Sequence, residues 1–407
     1  MARIWNKHKQ TPFDYAQGKN TPLKRKVFVA MSGGIDSSVA AALLKREGFD
    51  IVGVFMKFWS EPEEDKQKCG WNRCCSPDSE KRARQVAKIL KIPFYVFNFE
   101  KEFKKRIVDY FLREYKGGRT PNPCVACNKE IKFGLLLEKA LSLGTDFIAT
   151  GHYTRLRREI RSSKSEILKL YMGKDKEKDQ SYFLWQLSQE QLKHILFPVG
   201  DYTKSQVKAL AKKFKLPFKA VPESMEVCFI QTTMIDEAPP HLSPRPAQLA
   251  RQGSVNEFLK RHLKTKPGLI AEQTQGGDKK IIGRHQGLWF YTMGQRKGIG
   301  LSGGPYFVLG KDEKKNLLVV TKNEKDLLGR DLVLKNVNWI SGSEPEFPFK
   351  VQIKIRYRGK ISRAVIDKPF EGKIYTVKLE TPQRAITPGQ SAVFYRKQEL
   401  VGGGIIC

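Results

Sequence analysis

The stretch Val27-Phe28-Val29-Ala30-Met31-Ser32-Gly33-Gly34-Ile35-Asp36-Ser37-Ser38 decides the fold. Its opening is apolar and rich in valine, which predicts a buried strand. Val39-Ala40-Ala41-Ala42-Leu43-Leu44-Lys45 then predicts a helix closed by Gly48. Between strand and helix lie two glycines, Asp36 and three serines. There the first N–H groups of a helix point outward with the positive end of its dipole, which makes an anion site. Gly33 and Gly34 let the backbone approach a phosphate, and Ser32, Ser37 and Ser38 offer hydroxyls. A serine-capped helix after a strand is the plainer reading of the same residues. There is no Gly-Lys-Ser/Thr, so the loop is not the usual triphosphatase P-loop.

Working outward, strand and helix patterns alternate. Strands are expected at Ile51–Met56, Phe94–Phe97 and Phe147–Thr150, with helices over Ser79–Leu90, about Phe103–Tyr115 and about Lys132–Leu143. The expected fold class is α/β: a doubly wound parallel sheet, with ligands beyond the carboxyl ends of its strands. The first loop and Thr150-Gly151-His152-Tyr153 both follow strands, so both can border that crevice. Gly151 would admit a nucleotide closely, and His152 would donate to a substrate oxygen or act as a buried structural group. Beyond about Glu223 the composition changes. Pro239, Pro240, Pro244 and Pro246 mark an irregular insertion, Gly276–Gly300 reads as a small β unit with a basic tip, and short strands from Tyr306 onward predict a β barrel. The domains expected are a flexible extension over 1–23, the α/β domain over 24–225, a central domain with the Pro-rich insertion over 226–304, and a C-terminal β-barrel over 305–407.

The 407 residues suit two or three domains at ~150 residues each. A net charge of +32, from 74 Lys and Arg against 42 Asp and Glu, points to a polyanionic partner, of which nucleic acid is the leading class. Arg356, Tyr357, Arg358 and Arg363 interleave base with aromatic, which suits an RNA backbone and an unstacked base and equally suits a solvated sheet face. Seven cysteines in so long a chain are too few for a disulfide scaffold, which implies a reducing, cytoplasmic setting. No run of about 18 apolar residues occurs and the first residues are polar and basic, so neither export nor a membrane is expected.

The informative cysteines lie in Thr120-Pro121-Asn122-Pro123-Cys124-Val125-Ala126-Cys127-Asn128-Lys129-Glu130-Ile131-Lys132-Phe133. The prolines hold the approach extended, and the Cys-x-x-Cys turn leads into a helix whose amino end would lower a thiol pKa. Cys228, in Met225-Glu226-Val227-Cys228-Phe229-Ile230, follows the α/β region and could fold back over its crevice. A structural zinc pair is disfavoured because no second Cys-x-x-Cys or His pair is present, although Cys69, Cys74 and Cys75 remain as odd ligands.

The loop resembles that of the ATP pyrophosphatases, and the chain from about Val27 to Tyr395 resembles one of their families, the tRNA-specific 2-thiouridylases. The likeness rests on several motifs in order: Ser32–Ser38, Gly53–Met56, Gly118–Phe133, Ala149–Tyr153, Lys178–Tyr182, Cys228–Ile230, Thr292–Gly300 and Thr387–Gln390. It implies ATP bound by Ala30, Met31, Ser32, Gly33, Gly34, Ile35, Asp36, Ser37, Met56 and Gly151, with Mg2+ screening the phosphates. It implies tRNA contacts at Asn122, Pro123, Cys124, His152, Lys178, Asp179, Gln180, Arg356, Tyr357 and Gln390. In the family's mechanism ATP adenylates the 2-oxygen of the wobble uridine. A persulfide on the residue matching Cys228 delivers sulfur, and the thiol matching Cys127 resolves it through a disulfide bond. The sulfur comes from a donor protein or from sulfide.

Cys124 departs from the family pattern, which usually has aspartate there. Cys124, Cys127 and Cys228 could therefore hold a 4Fe-4S cluster that delivers sulfide by its open iron. Two further readings share parts of the sequence: another adenylating enzyme such as an amide-forming ligase, and a non-catalytic RNA-binding module.

Overall fold

The computed structural model describes residues 25–61, 76–162, 165–217, 227–230, 248–274, 276–370 and 373–407. The extension over 1–23, Cys69, Cys74, Cys75 and the four prolines of the insertion lie outside them.

Strands β1 (Lys26–Ala30), β2 (Asp50–Lys57), β3 (Phe94–Asn98) and β4 (Phe147–Ala149) begin the chain's first sheet. A hairpin of β5 (Thr154–Ser162) and β6 (Ser165–Met172) leads to β7 (Ile195–Leu196), which completes the sheet in the order β3-β2-β1-β4-β7 with every pairing parallel. Both faces are buried at β1 and along most of β2, and the alternation of side chains shows why. Val27, Val29, Ile51 and Phe55 enter one apolar cluster, whereas Phe28, Ala30, Val52 and Val54 enter another on the opposite face. A one-residue slip of β1 would exchange the two sets, so its register is held by packing on both sides. Helices α1 (Ile35–Arg46) and α2 (Pro77–Ile89) follow β1 and β2. The strand order reverses between β1 and β4. The loops after these two strands therefore flank the switch point where such sheets take ligands.

The helix expected from about Lys132 begins instead at Pro123. It runs from Pro123–Cys127 through a π-helical segment, Asn128–Leu135, into Leu136–Ser142. Pro123 occupies the first helical position, where its missing N–H costs nothing, and the Asn122 side chain caps the end by accepting from Val125 N at 3.4 Å. The cysteine pair thus lies inside the first turns of the helix, not in a turn before it.

The central unit holds β8 (Gly268–Gln273), β9 (Lys279–His285), β10 (Phe307–Asp312) and β11 (Leu317–Thr321) in the order β10-β11-β8-β9. This sheet draws on residues either side of the 304/305 boundary read from the sequence. Strands β12 (Leu328–Trp339), β13 (Phe349–Lys354), β14 (Ser362–Ile366), β15 (Tyr375–Arg384), β16 (Ser391–Arg396) and β17 (Glu399–Ile406) form an antiparallel barrel that closes by pairing of β12 with β17. Its interior is apolar, with Trp339, Tyr375 and Phe394 among the filling side chains. β17 also pairs with β6, so the hairpin that interrupts the first domain extends the barrel's sheet. No helix among the described residues is long and apolar enough to cross a membrane.

Candidate active site

The loop after β1 is shaped by contacts that only glycine permits. Gly33 has φ +71°, and a Cβ there would stand 2.2 Å from the carbonyl oxygen of Ser79. Gly34 caps α1 without a side chain, so nothing from the cap itself closes the helix's amino end. α2 differs, because Ser76 accepts from Ser79 N at 3.2 Å. The serines divide their work. Ser32 is exposed, whereas Ser37 and Ser38 are buried and donate to Gly34 O at 3.1 and 2.8 Å. Ser38 is therefore spent on holding the turn, while Ser32 donates its N–H to Ser37 Oγ at 3.2 Å and keeps its hydroxyl 3.4 Å from the same oxygen. Ala30 and Met31 are buried beneath the loop, and Met56 lies at the end of neighbouring β2.

Groups that the sequence motifs did not announce complete the loop's surroundings. Arg82, on α2, donates from Nε to Gly33 O at 3.2 Å and from Nη2 to Ser79 Oγ at 2.8 Å. Asp36, in the first turn of α1, accepts from Tyr153 Oη at 2.7 Å and from Lys204 Nζ at 2.8 Å on each carboxylate oxygen. Arg82 and Lys204 carried no signal beyond the helical periodicity of their segments. Tyr153 closed a motif but was assigned no contact.

The segment after β4 touches both halves of the expected chemistry. A Cβ on Gly151 would lie 2.6 Å from Ser37 N, so this glycine backs directly onto the first turn of α1. His152 is buried, with its Nδ1 2.7 Å from Thr150 Oγ1 and its ring 5.7 Å from that of Phe133 on the cysteine-bearing helix. Burial, with the nearby charge of Lys132 adding to it, holds the imidazole well below its ordinary pKa. His152 is thus neutral at neutral pH.

Several expected tRNA contacts converge on the segment Ser181–Leu184. Tyr182 donates to Ser391 O at 2.8 Å, while Tyr357 packs on Phe183 with ring centroids 4.5 Å apart. Gln390 donates to Thr120 O at 3.1 Å, at the entrance to the cysteine helix. Arg356 donates to the carbonyls of Arg384 and Ala385, and burial lowers its pKa. Asp179 is buried and accepts from Gly173 N, Ser181 N and Ser181 Oγ at 2.9, 3.1 and 3.0 Å; burial raises its pKa against the pull of those bonds. Gln180 Oε1 accepts from Tyr153 N at 3.0 Å. Asp179 and Gln180 therefore shape the segment, and Lys178 is its partly exposed cation.

Of the thiols, Cys124 is exposed, Cys127 is buried and Cys228 is half-buried; none is in a disulfide. Cys228 packs at the edge of the apolar core that contains Cys127. Its neighbour Phe229 anchors it edge-to-face against Phe103, Phe111 and Phe258, at 5.8, 5.3 and 5.6 Å between ring centroids. Among the described residues no group of three or more His, Cys, Asp or Glu side chains is arranged to hold a metal ion.

Comparison with known proteins agrees with this layout. The family described as the tRNA methyl transferase HUP domain matches residues 25–232, the tRNA methyl transferase PRC-barrel domain matches 256–322, and the aminomethyltransferase beta-barrel domain matches 329–406. A tRNA-specific 2-thiouridylase MnmA 2 from Thermoanaerobacter sp. (strain X514) is 45% identical over 387 residues, which cover 94% of this chain and 98% of that protein. The chain belongs to the tRNA-specific 2-thiouridylase family. The 2-thiouridylase of Clostridium perfringens (strain 13 / Type A) is 42% identical over 388 residues, and that of Clostridioides difficile (strain 630) 41% over 387, each covering 94% of this chain and 98% of the relative. The three matched families follow the three sheets: the first sheet, the central unit and the closed barrel of the 2-thiouridylase fold.

Proposed function

We propose that this enzyme, a tRNA uridine sulfurtransferase by its family, uses ATP to replace the 2-oxygen of a wobble uridine with sulfur. One observation carries the reading: Gly151 and His152, adjacent in the chain, back onto the first turn of α1 and onto the thiol-bearing helix respectively. A base held at that junction would meet both a nucleotide and a thiol.

In the first step the uridine O2 attacks the α-phosphorus of ATP, the P–O bond to the β-phosphate breaks, and pyrophosphate leaves. The amino end of α1, the Gly33–Gly34 backbone and Arg82 surround the phosphates with N–H donors and positive charge. Magnesium, when bound, screens phosphate charge. In the second step the outer sulfur of a Cys228 persulfide attacks C2 and AMP leaves. The Cys127 thiolate then attacks the inner sulfur, breaking the S–S bond, leaving sulfur on the base and forming a Cys127–Cys228 disulfide that a thiol reductant must reopen. Phe229 keeps Cys228 against the core and limits water, which would otherwise hydrolyse the adenylated base. Cytoplasmic tRNA and a sulfur donor are the partners this chemistry requires.

The test is incubation with unmodified tRNA, ATP, a persulfide donor that loads Cys228 with sulfane sulfur and a thiol reductant, followed by pyrophosphate measurement and nucleoside analysis. Wild-type protein should release pyrophosphate and form 2-thiouridine. C127S and C228S should retain pyrophosphate release while losing thiolation by at least ~100-fold. Pyrophosphate release with no thiolated product from wild type would favour an amide-forming or other adenylating enzyme, and binding of tRNA with no pyrophosphate release would favour a non-catalytic RNA-binding module.

A further inference from the structure

Two chains of hydrogen bonds run from the segment Asp175–Gln180 to one carboxylate in the nucleotide loop. The first begins at Asp175. Its Oδ1 accepts from the backbone N–H groups of Glu177 and Lys178, at 3.1 and 3.3 Å, and its Oδ2 accepts from Lys204 N at 2.8 Å. Asp175 therefore ties the turn that carries Lys178 to the first residue of the helix Lys204–Lys213. The Lys204 side chain, 15% exposed, reaches across to both oxygens of Asp36 at 2.8 Å. The second chain begins at Gln180. It exchanges hydrogen bonds with the Tyr153 backbone, each 3.0 Å long, and Tyr153 then donates its hydroxyl to Asp36 Oδ1 at 2.7 Å. Tyr153 is buried, and the Lys204 ammonium lies 5.8 Å from the centre of its ring.

Both chains end on the carboxylate of the phosphate loop itself. Unneutralised, that charge would oppose an incoming polyphosphate, and Lys204 offsets it at contact distance. Asp36 sits in the first turn of α1, so its side chain fixes the helix end that faces the ligand. A shift of residues 175–180 that keeps its bonds to Lys204 N and to the Tyr153 backbone would pull on the charge-assisted hydrogen bonds at Asp36.

We infer that Lys204 and Tyr153 are positioning residues that couple tRNA engagement at residues 175–180 to ATP binding at the Ser32–Ser37 loop, through Asp36. This rests on the proposed function, which supplies tRNA and ATP as the two ligands. Such coupling is reciprocal: whatever factor tRNA exerts on nucleotide affinity, the nucleotide exerts on tRNA affinity. A chain of contacts is not itself coupling, and the decisive quantity is that factor.

The experiment measures Kd for α,β-methylene-ATP with and without saturating unmodified tRNA, and Kd for tRNA with and without the analogue, using full-length wild type, Y153F, K204M and K204R. In wild type each ligand should tighten the other by ~5-fold or more, with the same factor in both directions. Y153F and K204M should bring that factor at least halfway to one on a logarithmic scale, and K204R should keep most of it. Y153F removes a single hydroxyl and carries the test if K204M does not fold. A purely structural role would weaken both affinities and leave their ratio at the wild-type value, which overturns the inference, as does a wild-type factor of one. Wild-type protein that binds neither ligand would instead overturn the proposed function.

Discussion

His152 carries a pH signature that belongs to one residue. Its imidazole is buried against Phe133 and Phe197, at 5.7 and 6.2 Å between ring centroids, and held neutral by burial and by Lys132. In the unfolded chain the same group takes up a proton below about pH 6.5, so between the two pKa values the unfolded state binds more protons. Stability therefore falls as pH drops below that value, by up to about 1.4 kcal/mol per pH unit from this residue. His152→Gln, which can still hydrogen-bond Thr150, should flatten the acid side of a thermal-midpoint profile between about pH 5 and 6.5. An unchanged acid slope in the variant would refute this. The sequence placed His152 correctly after a strand and left its role open between donor and buried group. Burial and Lys132 come from tertiary packing, which no local pattern encodes.

The loop Gly117–Asn122 touches both the central sheet and the barrel. Lys311 of β10 donates to Gly118 O at 2.9 Å, and burial brings its pKa down to about 8. From the barrel side, Thr120 N donates to Pro388 O at 2.9 Å and Gln390 donates to Thr120 O at 3.1 Å. Both neighbours thus fix the entrance to the cysteine helix. Gly389 has φ +91°, and a Cβ on it would stand 2.9 Å from Thr120 O, whereas Gly144 has φ +71° with open space around it. Gly144→Ala should cost about 1–2 kcal/mol from conformation alone, and Gly389→Ala should cost clearly more because backbone must also move. Thermal unfolding of the two variants side by side measures the difference, and equal midpoints would contradict it.

Elements of this kind were the hardest to read in the sequence. The hairpin of β5 and β6 escaped because Thr-Arg-Leu-Arg-Arg-Glu-Ile-Arg-Ser offers few apolar residues for a period of two, and it is held by pairing with the remote β17. The helix at Pro123 was placed late because Pro-Asn-Pro reads as a breaker unless the cap at Asn122 is recognised. The strands β1 to β4 were legible, because β1 and β2, buried on both faces, need continuous apolar runs, whereas the two-residue β7 offered no such run.

At the scale of the whole molecule the chain carries 32 more basic than acidic residues, an excess suited to a nucleic acid. Affinity for tRNA should therefore fall steeply with salt, with a log–log slope of about −0.7 to −0.9 for each phosphate neutralised. Sequence reasoning grouped Arg356 and Arg358 as one basic patch, but the structure separates them. Arg356 turns inward onto the carbonyls of Arg384 and Ala385, whereas Arg358 is exposed two residues away. A cation that meets a phosphate releases counterions, and one that braces a loop does not. Arg358→Ala should therefore flatten the salt slope by about one phosphate's worth with little change in thermal midpoint. Arg356→Ala should leave the slope at its wild-type value while lowering the midpoint, because it strips a half-buried donor from two carbonyls. Titrating tRNA binding from about 50 to 200 mM salt distinguishes the two. The reverse pattern, a flattened slope with Arg356→Ala and none with Arg358→Ala, would place the phosphate backbone on the inner side of this turn and move the RNA path toward Tyr357 and the entrance of the cysteine helix.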